Sequence, residues 1–390
     1  MHNVRHIDFN QQILVARQSS FAGFFCAIFA KNKKMNIAAL VSGGVDSSVT
    51  VHLLKEMGYN PTIFYIKIGL EDEPGYVCPK EEDIEITEYI AKKYGCKMEI
   101  VDLQKEYYET VVKYTLDTVK DGFTPNPDIM CNLLIKFGAF NDKMGHQFDK
   151  ISTGHYAGIE VVDGEQYLHT AVDRHKDQTY FLGRITKSQL QKAMFPLQHI
   201  PKPRVREIAH EINLPSAGRP DSQGICFLGK INYNDFIKQY VGENPGDIVE
   251  LETGKIWGKH KGLWFHTIGQ RKGLGLSQGP WFVVKKDMAQ NILYISHGYD
   301  PIAQYGSEVK LGDFRFINEK ADRNYETPQK VKFKIRHSPE FLSGMMEIRG
   351  AHMTIESDEQ IAGIAPGQFG VVYDEKEAIC LGAGVIDNEF

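Results

Sequence analysis

The segment NIAALVSGGVDSSVTVHLLKEMG, Asn36 to Gly58, decides the fold. It opens with a short apolar run typical of a buried strand, and its second half carries apolar residues at helical spacing that end at a glycine. Two glycines therefore lie at a strand-to-helix turn. Glycine lets the backbone approach a ligand closely, and the N–H groups at a helix start favour an anion. The segment predicts a phosphate-binding turn; the alternative is an ordinary tight turn capped by Ser47 or Asp46.

The alternation of strands and helices continues to about residue 158. Apolar runs predict strands at PTIFYIKI, CKMEIVDL and FDKISTGHY, and helices at EEDIEITEYIAKKYG, at QKEYYETVVKYTLDTVKDG and from about Asp128 to Gly145. This order indicates an α/β fold with a doubly wound parallel sheet. Ligands bind such sheets at the carboxyl ends of the strands. Because SGGVDSS and TGHY both follow strands, we expect Gly154 and His155 beside the glycine turn.

The rest of the chain predicts smaller units. We expect a hairpin around Asp163-Gly164, helices at KSQLQKAMF and KPRVREIAHEIN, a small central unit from about Asn232, and then short strands that form an antiparallel barrel or sandwich. The expected segments are an extension at 1–34, an α/β domain at 35–231, a central domain at 232–299 and a β-barrel-like domain at 300–390.

The first 34 residues contain the apolar run FAGFFCAIFA, which is too short to span a bilayer. No small-residue cleavage site follows it, so we expect Met35 to be the functional start and the preceding residues to be a disordered upstream extension or a mispredicted start. A signal or targeting peptide is the alternative. No other segment predicts a transmembrane helix.

The net charge of −5 does not itself indicate a nucleic-acid-binding protein, but the basic residues are unevenly placed. Two stretches contain no Asp or Glu: 178–206 and 255–286. The second also holds all three tryptophans, Trp257, Trp264 and Trp281. Basic segments with interleaved aromatics suit RNA; the alternative is a pair of solvated charged faces.

Six cysteines without a CxxC pair do not predict a disulfide framework, a local zinc or redox motif or an iron–sulfur cluster, and they favour a reducing compartment. In TPNPDIMCN, Asp128 is a good N-cap, which places Cys131 in a first helical turn, where the pKa of a thiol falls. For Cys131 alone, reactive and structural roles stay equally open. Cys226, in DSQGICFLG, is expected in an exposed loop. Of the others, Cys96 and Cys380 are expected in the core, Cys78 is ambiguous, and Cys26 is not expected to be reactive.

The string SGGVDSS resembles the SGGxDS loop of the PP-loop ATP pyrophosphatases, which cleave ATP between the α and β phosphates and transfer AMP to a substrate oxygen. It lacks the lysine of the GxxxxGK[ST] loop. Together with TPNPDIMCN, STGHY, KDQTYFL, DSQGICFLG and HTIGQRKGLG, it occurs in the order found in bacterial tRNA-specific 2-thiouridylases, and the resemblance extends from Met35 almost to the C-terminus.

The resemblance implies an N-terminal PP-loop domain, a small central domain and a C-terminal β-barrel-like domain. It implies that ATP is bound by Leu40, Val41, Ser42, Gly43, Gly44, Val45, Asp46, Ser47, Ile66 and Gly154. It implies that tRNA is contacted by Asn126, Pro127, Asp128, His155, Lys176, Asp177, Gln178, Arg336, His337 and Gln368.

The implied catalytic residues are Cys131 as nucleophile, Cys226 as carrier of a persulfide sulfur and Asp128 for proton transfer. The implied reaction is 2-thiolation of the wobble uridine in the tRNAs for Lys, Glu and Gln, and it leaves a disulfide between Cys131 and Cys226. Such a bond requires the two Cα atoms to come within roughly 7 Å.

The implied cofactors are ATP and Mg²⁺ bound with the pyrophosphate, with no structural metal. The implied partners are tRNA and a persulfide donor from a cysteine desulfurase relay, with no membrane, and the implied location is the cytoplasm. Two alternatives remain at this point. One is another PP-loop ligase or amidating synthetase acting on a small molecule, and the other is a nucleotide-binding RNA-interaction protein without catalysis.

Overall fold

The computed structural model describes residues 35–69, 80–221, 232–298, 303, 305–318, 325–350 and 352–387. The extension at 1–34, Cys26, Cys78 and Cys226 lie outside these residues. Within them, no helix combines the length and the apolar character that crossing a bilayer requires.

A five-stranded parallel sheet forms the N-terminal domain and confirms the predicted doubly wound fold. Its strands are β1 Ile37–Leu40, β2 Thr62–Lys67, β3 Met98–Asp102, β4 Lys150–Ser152 and β7 Ala193–Met194, in the order β3-β2-β1-β4-β7. β1 pairs with β2 on one side and with β4 on the other. The chain therefore adds β2 and β3 on one side of β1, and then β4 and β7 on the other side. The place between β1 and β4 is the switch point, where ligands bind in this kind of fold.

Helices cover both faces of this sheet. They are α1 Val45–Glu56, α2 Lys80–Tyr94, α3 at 104–120, α4 at 127–144, α5 Thr179–Leu182, α6 Lys187–Lys192 and α7 Lys202–Glu211, with π-helical stretches inside α3 and α4. Alternate residues of β1 belong to two different apolar clusters, Ala38 and Leu40 to one, Ile37 and Ala39 to the other. A strand buried on both faces explains why this part of the sequence is continuously apolar.

The predicted hairpin is present, as β5 Gly158–Val162 and β6 Glu165–His169 around Asp163 and Gly164, which both have positive φ. It does not join the parallel sheet. Instead, β6 pairs with β17, Ile379–Ile386, the last strand of the C-terminal domain. The N-terminal part of the chain thus contributes two strands to the C-terminal sheet.

The central domain consists of α8 Tyr233–Val241, capped by the side chain of Asn232, and a four-stranded sheet. The strands of that sheet are β8 Gly246–Glu250, β9 Ile256–His260, β10 Trp281–Asp287 and β11 Ile292–His297, in the order β10-β11-β8-β9. A small apolar cluster that includes Ile248, Trp281 and Ile295 forms its core.

The C-terminal domain is a closed barrel of six strands, which confirms the predicted β-barrel-like domain. They are β12 Tyr305–Phe316, β13 Gln329–Lys334, β14 Leu342–Arg349, β15 His352–Ala362, β16 Phe369–Tyr373 and β17, in the order β12-β15-β14-β13-β16-β17. The pairing of β12 with β17 closes the barrel and leaves neither strand as a free edge.

Candidate functional site

The glycine loop, Ser42–Ser48, leaves the carboxyl end of β1 and continues into α1. Gly43 has φ +73°, a conformation that favours glycine, and a Cβ there would lie 2.8 Å from the Cα of Asp83. Gly154, in the loop after β4, packs on the same turn, where a Cβ would lie 2.7 Å from the backbone nitrogen of Ser47. The structure thus brings the glycine loop and Gly154 together at the switch point of the sheet.

Side chains of the glycine loop hold its own backbone. The hydroxyl of Ser47 accepts a hydrogen bond from the Ser42 N–H and donates one to the Gly44 carbonyl, and the Ser48 hydroxyl donates to that carbonyl at 2.7 Å. Gly44, which has no side chain, is the N-cap of α1, so neither Ser47 nor Asp46 is the helix N-cap. The first-turn N–H groups of a helix have no partner within it, which suits an anion at this position.

The apolar members of the predicted ATP site are part of the core. Leu40, Val41 and Val45 are all buried. Ile66, near the end of β2, is half-buried and packs against the cluster that contains Leu40.

A group of charged and polar side chains surrounds Asp46 and is called here the loop cluster; its members are Asp46, Tyr156, Lys176, Lys202, Arg206 and Asp221. The ammonium of Lys202 donates to both carboxylate oxygens of Asp46, at 2.7 and 2.8 Å, and the Tyr156 hydroxyl donates to Oδ1 at 2.8 Å. Burial and the Asp46 charge raise the pKa of Tyr156. The Tyr156 hydroxyl therefore stays protonated and serves as a donor.

Asp221 forms the other half of the loop cluster. Its carboxylate contacts Lys202 at 2.8 Å, Lys176 at 2.8 Å and Arg206 at 2.6 Å. Partial burial alone would raise the pKa of Asp221, but hydrogen bonds from Lys176 and Lys202 outweigh it and hold that pKa well below its usual range. The Asp221 side chain is therefore a permanent negative charge that gathers three cations.

Arg219 ties the glycine loop to α2. Its guanidinium donates to the Gly43 carbonyl at 3.2 Å and to the Asp83 carboxylate at 2.7 Å. Sequence reasoning missed Arg219 and Asp83, and likewise Tyr156 and Asp221. No motif spacing connects these residues; the only signal was an ionisable residue or a tyrosine next to a recognised motif.

The first acid-free stretch, 178–206, does not form one solvated basic face. Lys202 and Arg184 are both buried. Arg184 donates to the Ala383 carbonyl and pairs with Asp313 at 2.7 Å, which links the N-terminal domain to the barrel. These two cations serve internal contacts.

Cys131 lies in α4 and is 2% exposed. Asn126, not Asp128, caps α4, because the Asn126 side chain accepts from the Ile129 N–H and Pro127 is the first helical residue. Cys131 is therefore the fifth residue of the helix, and its predicted place in the first turn is wrong. Asp128 is half-buried in that first turn, whereas Pro127 is buried.

The barrel seam is the contact between the segment before α4 and the start of β16. The Gln368 amide donates to the carbonyls of Thr124 and Pro125, at 3.2 and 2.9 Å, and accepts from the Asn126 side chain at 3.3 Å. The resemblance implied Gln368 and Asn126 as separate tRNA contacts. In the structure their side chains contact each other, and Asn126 is buried.

A second contact between the two domains involves Asp177 and His337. The ring of His337 lies against Phe181, with centroids 4.7 Å apart, and its Nε2 is 3.0 Å from the Asp177 carbonyl. The Asp177 side chain is buried and accepts from the Ala171 N–H and the Thr179 hydroxyl. Burial raises the pKa of Asp177 despite these bonds.

The remaining candidates for tRNA contact differ in exposure. Arg336 is exposed and donates to the Ala362 carbonyl, whereas the Gln178 side chain accepts from the Tyr156 N–H. His155 is buried, with its Nδ1 2.8 Å from the Thr153 hydroxyl. Burial, helped by the charge of Lys136, lowers the pKa of His155 well below 6.5. The buried side chain of His155 is therefore uncharged at neutral pH.

The tryptophans of the second acid-free stretch do not form an open stacking platform. Trp281 is 4% exposed and packs on Trp257, with ring centroids 4.6 Å apart. The indole N–H groups of all three tryptophans donate to acceptors in the same domain: Glu250, Gly242 and Ser277. Burial also lowers the pKa of Lys286 to about 8. The tryptophans therefore belong to the packing of the central domain.

Cys96 and Cys380 are placed differently from each other. Cys380 is buried in β17, as predicted, whereas Cys96 is only half-buried. Burial raises the pKa of both thiols. A raised pKa disfavours the reactive thiolate.

No group of three or more His, Cys, Asp and Glu side chains among the described residues has the arrangement needed to hold a metal ion. Asp46, a carboxylate of the glycine loop, already accepts from Lys202 and Tyr156. A divalent ion at this site would therefore depend on oxygens brought by a ligand.

Three protein-family models match successive parts of the chain. Residues 35–230 match the tRNA methyl transferase HUP domain, residues 234–297 the tRNA methyl transferase PRC-barrel domain, and residues 307–386 the aminomethyltransferase beta-barrel domain.

Several known proteins are similar over nearly their whole length. The chain is 61% identical over 356 residues to the tRNA-specific 2-thiouridylase MnmA of Parabacteroides distasonis, covering 91% of this chain and 99% of that protein. It is 58% identical over 357 residues to the protein of the same name from Porphyromonas gingivalis, covering 90% and 99%. It is 57% identical over 353 residues to tRNA-specific 2-thiouridylase MnmA 1 of Bacteroides thetaiotaomicron, again covering 90% and 99%.

Proposed function

Because the chain belongs to the tRNA-specific 2-thiouridylase family, we propose that it uses ATP to replace the 2-oxygen of the wobble uridine by sulfur in the tRNAs for Lys, Glu and Gln. The supporting observation is the close packing of Gly154 on the glycine loop at the switch point between β1 and β4. This geometry suits a nucleotide phosphate, since it combines glycine backbone with the start of a helix.

ATP is a substrate in this proposal. The oxygen at C2 of uridine is a poor leaving group until it attacks the α-phosphate, which releases pyrophosphate and joins AMP to that oxygen. Backbone groups of Ser42–Ser48 and Gly154 would hold the phosphates. Mg²⁺ would be held mainly by pyrophosphate oxygens, as is usual for this ion, and would offset their charge.

Sulfur transfer is assigned to the two cysteines. The thiolate of Cys131 attacks Sγ of a Cys226 persulfide, the bond to the outer sulfur breaks, and hydrosulfide leaves as a disulfide forms between Cys131 and Cys226. Hydrosulfide then adds to C2 and displaces AMP, which gives 2-thiouridine. Asp128, three positions before Cys131, would move the proton at the uridine. A thiol reductant restores both cysteines for the next turnover.

The tRNA would lie across the barrel seam. Asn126 and Gln368 come from two domains and contact each other, and the exposed Arg336 belongs to the same domain as Gln368. The wobble base must leave its stack to reach a buried thiol, as bases do in other enzymes that modify them. A persulfide donor fed by a cysteine desulfurase would charge Cys226, and the reaction would take place in the cytoplasm.

The test is nucleoside analysis by mass spectrometry. Unmodified tRNA for Glu is incubated with Mg-ATP and with protein that has first been loaded with persulfide and freed of excess sulfur. We expect 2-thiouridine from the wild type, a loss of at least about 1000-fold with Cys131→Ser, and a similar loss with Cys226→Ser. Cys96→Ser is the matched control, because Cys96 is a half-buried thiol in the same domain; it should behave like the wild type.

A parallel set of samples replaces the persulfide by free sulfide. Cys226→Ser should then regain activity, because sulfide bypasses the carrier. Activity of Cys131→Ser in the persulfide samples would contradict the assigned nucleophile. Release of AMP without any thiouridine would favour a PP-loop ligase with another substrate.

A further inference from the structure

The glycine loop carries a negative side chain where a polyphosphate would bind. Loops of the GxxxxGK[ST] type contain a lysine that contacts the β- and γ-phosphates. The loop of this chain has no lysine and instead places Asp46 in the first turn of α1. Two charges of the same sign repel more strongly where water is partly excluded. Any side-chain cation beside this loop therefore comes from another part of the chain.

Two cations reach the loop: Arg219 donates to the Gly43 carbonyl, and Lys202 is the one that contacts the Asp46 carboxylate. Lys202 is the first residue of α7, its side chain is 10% exposed, and its ammonium contacts both Asp46 oxygens and Asp221. A buried lysine costs free energy unless its charge is compensated. Two carboxylates compensate it here, and the ring of Tyr156 lies 5.8 Å from the ammonium. The charge is thus held within contact of the loop.

The loop cluster as a whole contains three cations and two carboxylates. The Asp221 carboxylate contacts all three cations, Lys202, Lys176 and Arg206. Of these three, Lys202 is the one that also contacts Asp46. Among these five charged side chains there is an excess of one positive charge, and the N–H groups at the start of α1 add to the same field. The carboxylate of Asp173, which accepts from the Lys202 backbone N–H, lies next to the cluster. The cluster therefore attracts an anion of high charge more strongly than one of low charge.

We propose that Lys202 supplies the positive charge for the β- and γ-phosphates of ATP that the glycine loop itself lacks, and that Asp221 partly offsets this charge. This inference rests on the proposed use of ATP. AMP has neither of the two outer phosphates, so Lys202 distinguishes ATP and pyrophosphate from AMP.

The experiment measures equilibrium binding of ATP, AMP and inorganic pyrophosphate to the full chain without tRNA. Lys202→Gln should weaken ATP and pyrophosphate about 10- to 100-fold, the range for a hydrogen bond to a charged group, and change AMP less than about 3-fold. Lys202→Arg should restore part of the difference. Lys192→Gln is the control, because Lys192 is a partly buried lysine of the same domain that donates to the carbonyls of Gly145 and Phe148.

We expect Asp221→Asn to change the ATP affinity in the opposite direction from Lys202→Gln. Removing this carboxylate leaves the cations of the cluster less compensated, so ATP should bind about 3- to 10-fold more tightly. A purely structural role for the cluster predicts weaker binding instead. This variant also decides the matter if Lys202→Gln does not fold.

Equal weakening of ATP and AMP, or no change beyond that of Lys192→Gln, would overturn the inference. Unchanged or weaker ATP binding in Asp221→Asn would overturn it as well. The proposed function has a separate test. If the wild type binds ATP but forms no thiouridine, the proposed tRNA substrate is wrong, while the measured difference between ATP and AMP binding still tests the role of Lys202.

Discussion

The glycine loop and the barrel seam are built from residues at very different sequence separations. In the loop, Ser42 and Ser47 are five positions apart, and they bond within one turn. At the seam, Asn126 and Gln368 are 242 positions apart, and they meet only because the barrel packs on the N-terminal domain. The glycine loop therefore depends on local backbone geometry, and the barrel seam depends on the docking of two domains. Changes in each region should therefore affect different ligands.

The largest effect is expected in the glycine loop, from Gly154→Ala. The added methyl group would lie 2.7 Å from the backbone nitrogen of Ser47 and must displace it. Overpacking of this kind costs about 1–3 kcal/mol, which corresponds to a roughly 5- to 150-fold loss of ATP affinity. Binding of tRNA should change little. Gly218→Ala is the control, since no atom lies within 4 Å of its added methyl group. Equal loss of ATP and tRNA binding would show that the two regions are not independent.

An intermediate effect is expected at the barrel seam, from Gln368→Ala. The carbonyls of Thr124 and Pro125 lose their donor, and the Asn126 amide loses its acceptor. The expected cost is about 1–2 kcal/mol of unfolding free energy, with a roughly 5- to 30-fold loss of tRNA affinity, while ATP affinity stays unchanged.

Filter binding of tRNA and urea unfolding measure the effect at the seam. Gln360→Ala, on an exposed position of β15, serves as the control on the same barrel. If Gln368→Ala leaves the tRNA affinity unaltered, the barrel seam is not part of the surface that binds tRNA.

The smallest effect is expected at His155 and is visible only below about pH 6.5. Burial holds the pKa of His155 well below 6.5, so the folded protein binds fewer protons than the unfolded chain as the pH falls through 6.5. Stability then decreases with falling pH, by at most about 1.4 kcal/mol per pH unit for this group. Burial lowers the pKa of His266 as well, to about 4, so His155→Asn should reduce the decline without abolishing it.

Urea unfolding at pH 7.5, 6.0 and 5.0 measures this decline. His210→Asn is the control, because His210 is exposed and His155 is buried. A decline in His155→Asn as steep as that of the wild type would show that other histidines cause all of it.

Much of the N-terminal domain could be predicted from sequence because its signals are local. The alternation of strands and helices, the glycine turn and the pairing of Gly154 with that turn all follow from residues close to recognisable motifs. The predicted N-cap of α4 was wrong because two nearby residues are equally suitable as caps. Asn126 and Asp128 are both good caps, and the proline at 127 fits the first helical position, which settles the cap at Asn126.

The rest of the site depends on contacts that no local pattern encodes. Lys202 belongs to a basic stretch that suggests a solvated or RNA-binding face, yet it is buried against Asp46. Trp281 presents the same difficulty, because an aromatic residue among lysines is compatible with both a stacking surface and a small core. Only the fold determines which side of the domain each residue faces.

The hairpin of β5 and β6 has a consequence for synthesis of the chain. Its partner strand, β17, begins 210 residues after the hairpin ends at His169. At the usual rates of translation, roughly 5–20 residues per second, the ribosome needs about 10–40 s to make that interval. During this time the nascent N-terminal domain carries an unpaired strand edge, the kind of surface that recruits other strands. The completed barrel covers this edge, so the last strand to be made also protects one of the earlier ones from aggregation.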